Sequence, residues 1–144
     1  MKTIVCKLFV LLMVIGALGV VDARAQLGGA QVRFTVSSSF VAGDTSFPAG
    51  TYSITQEHQD DAQMLLITDD SNTHSAVILG EFIDSELPHK KTEVIFNKYG
   101  NTVVLKQIWL LGQTTGYVVP RSYREKEASK NGNPTKQSVE ATSK

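Results

Sequence analysis

Apolar and polar residues change rhythm several times along this chain, and each rhythm predicts an element. After a short Gly-containing lead-in from Gln26 to Ala30, Val32, Phe34 and Val36 alternate with Gln31, Arg33 and Thr35. A period of two marks a strand with one dry face. Ser37-Ser38-Ser39 interrupts it, Phe40-Val41 follows, and the segment from Gly43 to Gly50 reads as turn chemistry around Pro48. Tyr52 and Ile54 resume the alternation, and Glu57 to Gln63 reads as a polar loop. Met64-Leu65-Leu66-Ile67 is apolar at every position, which predicts a strand covered on both faces. Asp69 to Thr73 predicts a turn, Ser75 to Phe82 a strand, and Asp84 to Lys91 a charged loop. Glu93 to Tyr99 and Thr102 to Leu111 read as two strands joined by a tight hairpin at Gly100-Asn101. In the second of them, strict alternation puts Val103, Leu105, Trp109 and Leu111 on one face. Thr114 to Val119 reads as a last strand, closed by Pro120.

Beyond Pro120 the pattern changes. Ser122-Tyr123-Arg124-Glu125 has the spacing of a capping box, in which the Ser hydroxyl accepts from a first-turn amide and the Glu reaches back. It predicts a short helix from about Tyr123 to Lys130, ended by Asn131-Gly132 and Pro134. From Asn133 onward Val139 is the one sizeable apolar side chain, so the tail is expected to be disordered. Seven or eight short strands with turn signals between them predict a mainly β fold. The expected architecture is a small antiparallel β-sandwich or β-barrel with a short C-terminal helix and a disordered tail. An outer-membrane barrel does not fit, because its strands need about 10 residues each with lipid-facing alternation.

The first residues have a different logic. Lys2 and Lys7 form a basic start, Leu8 to Val21 carries no charge, and Ala23-Arg24-Ala25 offers small residues at a cleavage site. This is the order of a secretory signal, cut between Ala25 and Gln26. The apolar run of 14 residues falls short of the roughly 20 a spanning helix requires. The expected organisation is therefore a signal peptide over 1–25, one β domain with its terminal helix over 26–130, and a polar tail over 131–144. Cys6, the single cysteine, lies in the leader. A mature chain without cysteine forms no disulfide and no thiolate site, and must hold together by packing. The leader takes Lys2, Lys7, Arg24 and Asp22 with it. Of 14 basic and 14 acidic residues, 11 and 13 then remain, a formal net charge of −2. The doublet Lys90-Lys91 is flanked by Glu86 and Glu93, so nothing favours nucleic acid as a partner, and no integral membrane span is expected after cleavage.

Several short motifs stand in a characteristic order: Ala42-Gly43-Asp44, Pro48-Ala49-Gly50-Thr51-Tyr52, Tyr99-Gly100, Gln107-Ile108-Trp109 and Pro120-Arg121-Ser122. In this order, from about Val32 to Glu127, the chain resembles a group of small exported proteins of unknown function common in acidobacterial genomes. The resemblance implies export and a compact β domain, and it carries over no activity and no catalytic residue.

His58, His74 and His89 match no metal-ligand spacing and read as solvated loop histidines, so no metal and no cofactor is expected. Asp60-Asp61 and Asp69-Asp70-Ser71-Asn72 could offer oxygens to calcium. An EF-hand loop counted from Asp70, however, lacks glycine at its sixth position, and turn formation is the better reading. No G-x-S-x-G elbow marks a serine nucleophile, and Glu81 with Glu93 is the pair to examine as glycosidase-type carboxylates. Trp109 and Tyr52 read as core aromatics, whereas Tyr99 and Tyr117, next to glycines in predicted turns, and Arg121 are candidate ligand contacts. The expected function is an exported, non-catalytic structural or interaction domain of the cell envelope, periplasmic or secreted, whose partner is a protein or an envelope polymer. The alternatives are a small-ligand or carbohydrate-binding β module and a hydrolase with dispersed catalytic residues.

Overall fold

The computed structural model describes residues 30–58 and 61–144. The expected leader over 1–25, Cys6 and the Ala25–Gln26 junction lie outside them. The described chain runs β1 (Val32–Val36), β2 (Phe40–Ala42), β3 (Thr45–Phe47), β4 (Gly50–His58), β5 (Asp61–Asp69), β6 (Ser75–Leu79) and β7 (Glu81–Asp84). It continues through β8 (Glu93–Tyr99), β9 (Thr102–Trp109), β10 (Thr115–Val118), α1 (Tyr123–Ser129), β11 (Thr135–Glu140) and β12 (Thr142–Ser143). The fold is mainly β, as expected. Among the described residues no helix is long and apolar enough to cross a membrane.

Two sheets pack as a sandwich. The first has the order β12-β1-β4-β5-β6, and the second has β11-β8-β9-β10-β7, with the β2–β3 hairpin attached to β9 through a parallel pairing of Val41 with Val104. The chain crosses from one sheet to the other at both margins. Gly80 separates β6 of the first sheet from β7 of the second, and Ala141 separates β11 from β12. Gly80 suits its corner because a Cβ there would stand 2.9 Å from Leu65 Cδ1 and 3.3 Å from Tyr117 Cδ1. The one strand expected over Ser75 to Phe82 is thereby split into two.

β1 shows the predicted alternation, with Val32, Phe34 and Val36 buried and Arg33 and Thr35 exposed. The rings of Phe34, Phe40, Phe47, Tyr52 and Phe96 cluster between the sheets, with centroids 5.1–6.2 Å apart. A buried ring of this kind contributes about 1.5–3 kcal/mol. Tyr52 keeps its hydroxyl satisfied by donating to Pro48 O at 2.7 Å.

Four expectations are corrected. The turn segment from Gly43 to Gly50 contains β3, because Phe47 pairs with Phe40 and fills the core. The polar loop from Glu57 to Gln63 is shorter, since β4 runs to His58, β5 starts at Asp61, and these two residues still pair. The tail over 131–144 is not disordered: β11 pairs residue for residue with β8, from Thr135 opposite Lys98 to Glu140 opposite Glu93, and β12 pairs with β1. An edge strand is held by its backbone ladder and needs few apolar side chains of its own. Here buried Ala141, whose N–H donates to Thr92 O at 2.9 Å, anchors the crossing. Strict alternation in β9 also fails. Ile95 pairs with Gln107 but Phe96 with Leu105, so Lys106 is an extra residue, a bulge. Val103, Leu105 and Ile108 therefore join the central core, while Trp109 sits outside that cluster, still buried.

Candidate functional site

The bulge re-aims Lys106. Its ammonium donates to Val119 O at 2.8 Å and to Glu125 Oε2 at 3.1 Å. Glu125, 2% exposed, also accepts through Oε1 from the Tyr99 hydroxyl at 3.0 Å and from Asn97 Nδ2 at 3.3 Å. Half of the predicted capping box forms, because Ser122 Oγ accepts from the Glu125 N–H at 3.2 Å. The other half does not, because the Glu125 carboxylate turns down onto the second sheet instead of reaching back. Burial, followed by the hydrogen bond to Glu125 and its charge, pushes the Tyr99 phenol above its usual range. Every member of this buried network has a partner, and its effect is to clamp α1 to the sheet.

Tyr99 and Tyr117 are each 3% exposed, and so neither offers a ligand surface. Tyr99 lies beneath α1 with Val41, Val104 and Ala128; Tyr117 packs in the central core against Phe82, with ring centroids 5.3 Å apart. A glycine next to an aromatic marks a turn at Gly100. At Gly116 it marks close packing, since a Cβ there would meet Trp109 Cε3 at 2.5 Å. Trp109 and Tyr52 are buried, as expected. Arg121 is exposed and lines a groove described below.

The remaining candidate groups are engaged one by one. Asp69 accepts from the Ser71 hydroxyl at 2.7 Å, from the Thr73 N–H and hydroxyl at 2.8 and 2.9 Å and from the His74 N–H at 3.0 Å. These bonds, the Ser71 hydroxyl first, hold its carboxyl well below the usual range and cap the β5–β6 turn, where Asn72 takes a φ of 55°. Asp70 pairs with Arg33. His89 stacks on Trp109 at 3.9 Å between centroids and lies 3.3 Å from Glu93 Oε1. Burial pushes the Glu93 carboxyl up, but the Ser138 hydroxyl, His89 and the Lys91 ammonium together outweigh it and hold it below the usual range. Glu81 on β7 and Glu93 on β8 stand three strand spacings apart, about 14 Å, too far for a glycosidase pair. Among the described residues no three His, Cys, Asp or Glu side chains stand where a metal could be held. Asp60 and the side chains of His58 and Asp61 lie outside those residues.

One surface stands out at the margin where β6 ends the first sheet. The expectation that Met64 to Ile67 is covered on both faces is half right. Leu65 and Ile67 are fully buried, while Met64 and Leu66 lie half-buried on the outer face. There they pair with Leu79 and Val77, which are 62% and 47% exposed. Among the described residues nothing covers these four apolar side chains, and they form a patch that runs to an open strand edge. The backbone there is open too. The Asp69 N–H donates to His74 O at 3.0 Å, which makes 69 and 74 a hydrogen-bonded pair. Antiparallel alternation then turns the amides and carbonyls of Ser75, Val77 and Leu79 away from β5. Beside them runs a groove of about 370 Å³, bounded by Val77, Ile78 and Leu79 on one side and by the Gly43–Thr45 turn and Pro120–Ser122 on the other. Sequence reasoning missed this surface, although the apolar run itself was its signal.

A larger groove, about 520 Å³, lies beside α1 between Tyr123, which is 70% exposed, and Asn101, Asn131 and Ser39. Arg124 crosses it to Ser46.

Compared with known proteins, the chain matches no family model, no curated protein and no solved structure.

Proposed function

We propose that this chain is an exported, non-catalytic interaction domain of the cell envelope, and that it engages its partner along the open edge of β6. The carrying observation is the coincidence there of uncovered apolar side chains, free-facing backbone groups and a groove. Soluble domains normally blunt such an edge with charge, proline or a bulge, and Ser75 to Leu79 contains none of these. The basic start, short apolar run and Ala25 junction support export. The separate engagement of Asp69, Glu93 and Glu125 supports a non-catalytic role.

The test is a photo-crosslinking residue placed at Leu79 or, as a control, at exposed Lys136, with the full chain expressed in its own cells. Cell fractions and the N-terminal sequence are read from the same material. The expected result is a mature chain that starts at Gln26, outside the cytoplasm, with crosslinked products from Leu79 and none from Lys136. A cytoplasmic chain that keeps Met1 would refute export, and equal labelling at the two positions would refute the surface.

The groove beside α1 favours a second reading, a small-ligand module, now resting on Tyr123 in place of Tyr99 and Tyr117. If a glycan panel binds and Tyr123→Ala abolishes that binding while Leu79→Lys does not, this second reading takes precedence.

A further inference from the structure

Resting on the β6 surface proposed above, we infer that its occupant is an extended segment of another exported protein, apolar with one acidic side chain, added as a strand beside β6. The shape of the site selects this class. The groove has two walls, β6 on one side and residues 42–45 and 119–122 on the other. A strand entering it must be free on both margins. Among the described residues, a second copy of this chain could offer only an edge strand, β3, β6, β7, β11 or β12, and each already has one margin paired within its own sheet. Strand addition draws its affinity from main-chain bonds and its selectivity from alternate side chains. Ser75, Val77 and Leu79 supply the main-chain groups, and the occupant's outward side chains extend the apolar face of Val77 and Leu79.

Charge supplies the last feature. Of the two charged residues lining the groove, Asp44 accepts from the Arg124 N–H at 3.5 Å, and Arg121 has no ion pair among the described residues. A carboxylate on the occupant would meet Arg121 as the segment passes.

The test uses fluorescein-labelled peptides of alternating Val and Thr, ending in Asp or in Lys, titrated with the full mature chain and read by anisotropy. The Asp peptide is expected to bind more tightly than the Lys peptide, and Arg121→Glu to reverse the order. Methylating alternate backbone nitrogens of the peptide is expected to weaken binding about tenfold or more, because it removes pairing and keeps the side chains. Val77→Pro is expected to do the same, since that N–H faces away from β5 and its loss spares the ladder; circular dichroism checks that this variant is folded. Methylated and plain peptides binding alike would overturn strand addition without requiring any change to the variant. Self-association of the chain that Val77→Pro abolishes would make the occupant a second copy and overturn the inference, while the β6 surface would stand. No peptide binding, together with no crosslinking at Leu79, would remove both.

Discussion

Replacing Glu125 by Ala tests whether the buried network holds the helix to the sheet. The side chain is 2% exposed, whereas that of Lys106 keeps 21% exposure. Removing one member of a buried ion pair costs about 3–5 kcal/mol, most of it from the charge left behind. The Lys106 ammonium can turn partly to water, which places its share near the lower end of that range. The Tyr99 hydroxyl and the Asn97 amide each lose an acceptor, at about 1 kcal/mol apiece. A total loss of about 5 kcal/mol follows, a large fraction of the ~5–15 kcal/mol that a domain has. Urea unfolding reads it directly, because Trp109 is the only tryptophan and reports the second sheet. Glu125→Gln keeps an oxygen for Tyr99 and removes only the charge, so it is expected to lose less. In a double-mutant cycle with Lys106→Met, the pair should show a coupling of about 1–3 kcal/mol. A loss below about 1 kcal/mol for Glu125→Ala, or a coupling near zero, would refute the assignment of Glu125 as the clamp for α1.

Three further outcomes are expected. Gly116→Ala should destabilise the fold by about 3 kcal/mol and shift Trp109 emission, because the added Cβ meets both the indole and the Ile108 carbonyl, 2.7 Å away, and that backbone cannot yield cheaply. Unfolding with unchanged stability would refute the packing. Glu93 has a folded-state pKa below its unfolded value, so its contribution is present above the unfolded carboxyl pKa of about 4.3 and is lost as pH falls through the lower folded value. Glu93→Gln should therefore flatten the loss of stability between about pH 5 and pH 3, measured by urea midpoints, and an unchanged slope would count against it. Amide exchange in β11 should be protected, and deleting residues 133–144 should uncover β8 and lower the urea midpoint. Exchange at coil rates would return the tail to disorder.

Much of the architecture was legible because local chemistry and tertiary structure agree. The alternation of Val32, Phe34 and Val36, the Gly100 turn at a φ of 58° and the Ser122 cap all rest on interactions within a few residues. The candidate surface was only half legible. The apolar run at Met64 to Ile67 announced that both faces want cover, but nothing local shows that β6 ends its sheet or that Val77 and Leu79 lie beside Leu66 and Met64.

By itself, then, the order of residues determined the class of the fold, most of its strands, the short helix and the absence of cysteine from the domain. Pairing partners decided the rest. One bulged residue moved Lys106 onto Glu125 and Trp109 away from the central core, and an open edge of β8 recruited a polar tail that composition alone would leave unfolded. The same pairing buried Tyr99 and Tyr117 and, among the described residues, left the outer margin of β6 unpaired. Side-chain chemistry is local and can be read in order. Register and sheet edges are set by backbone bonds between segments far apart in the chain, and those bonds are nearly blind to which residues they join.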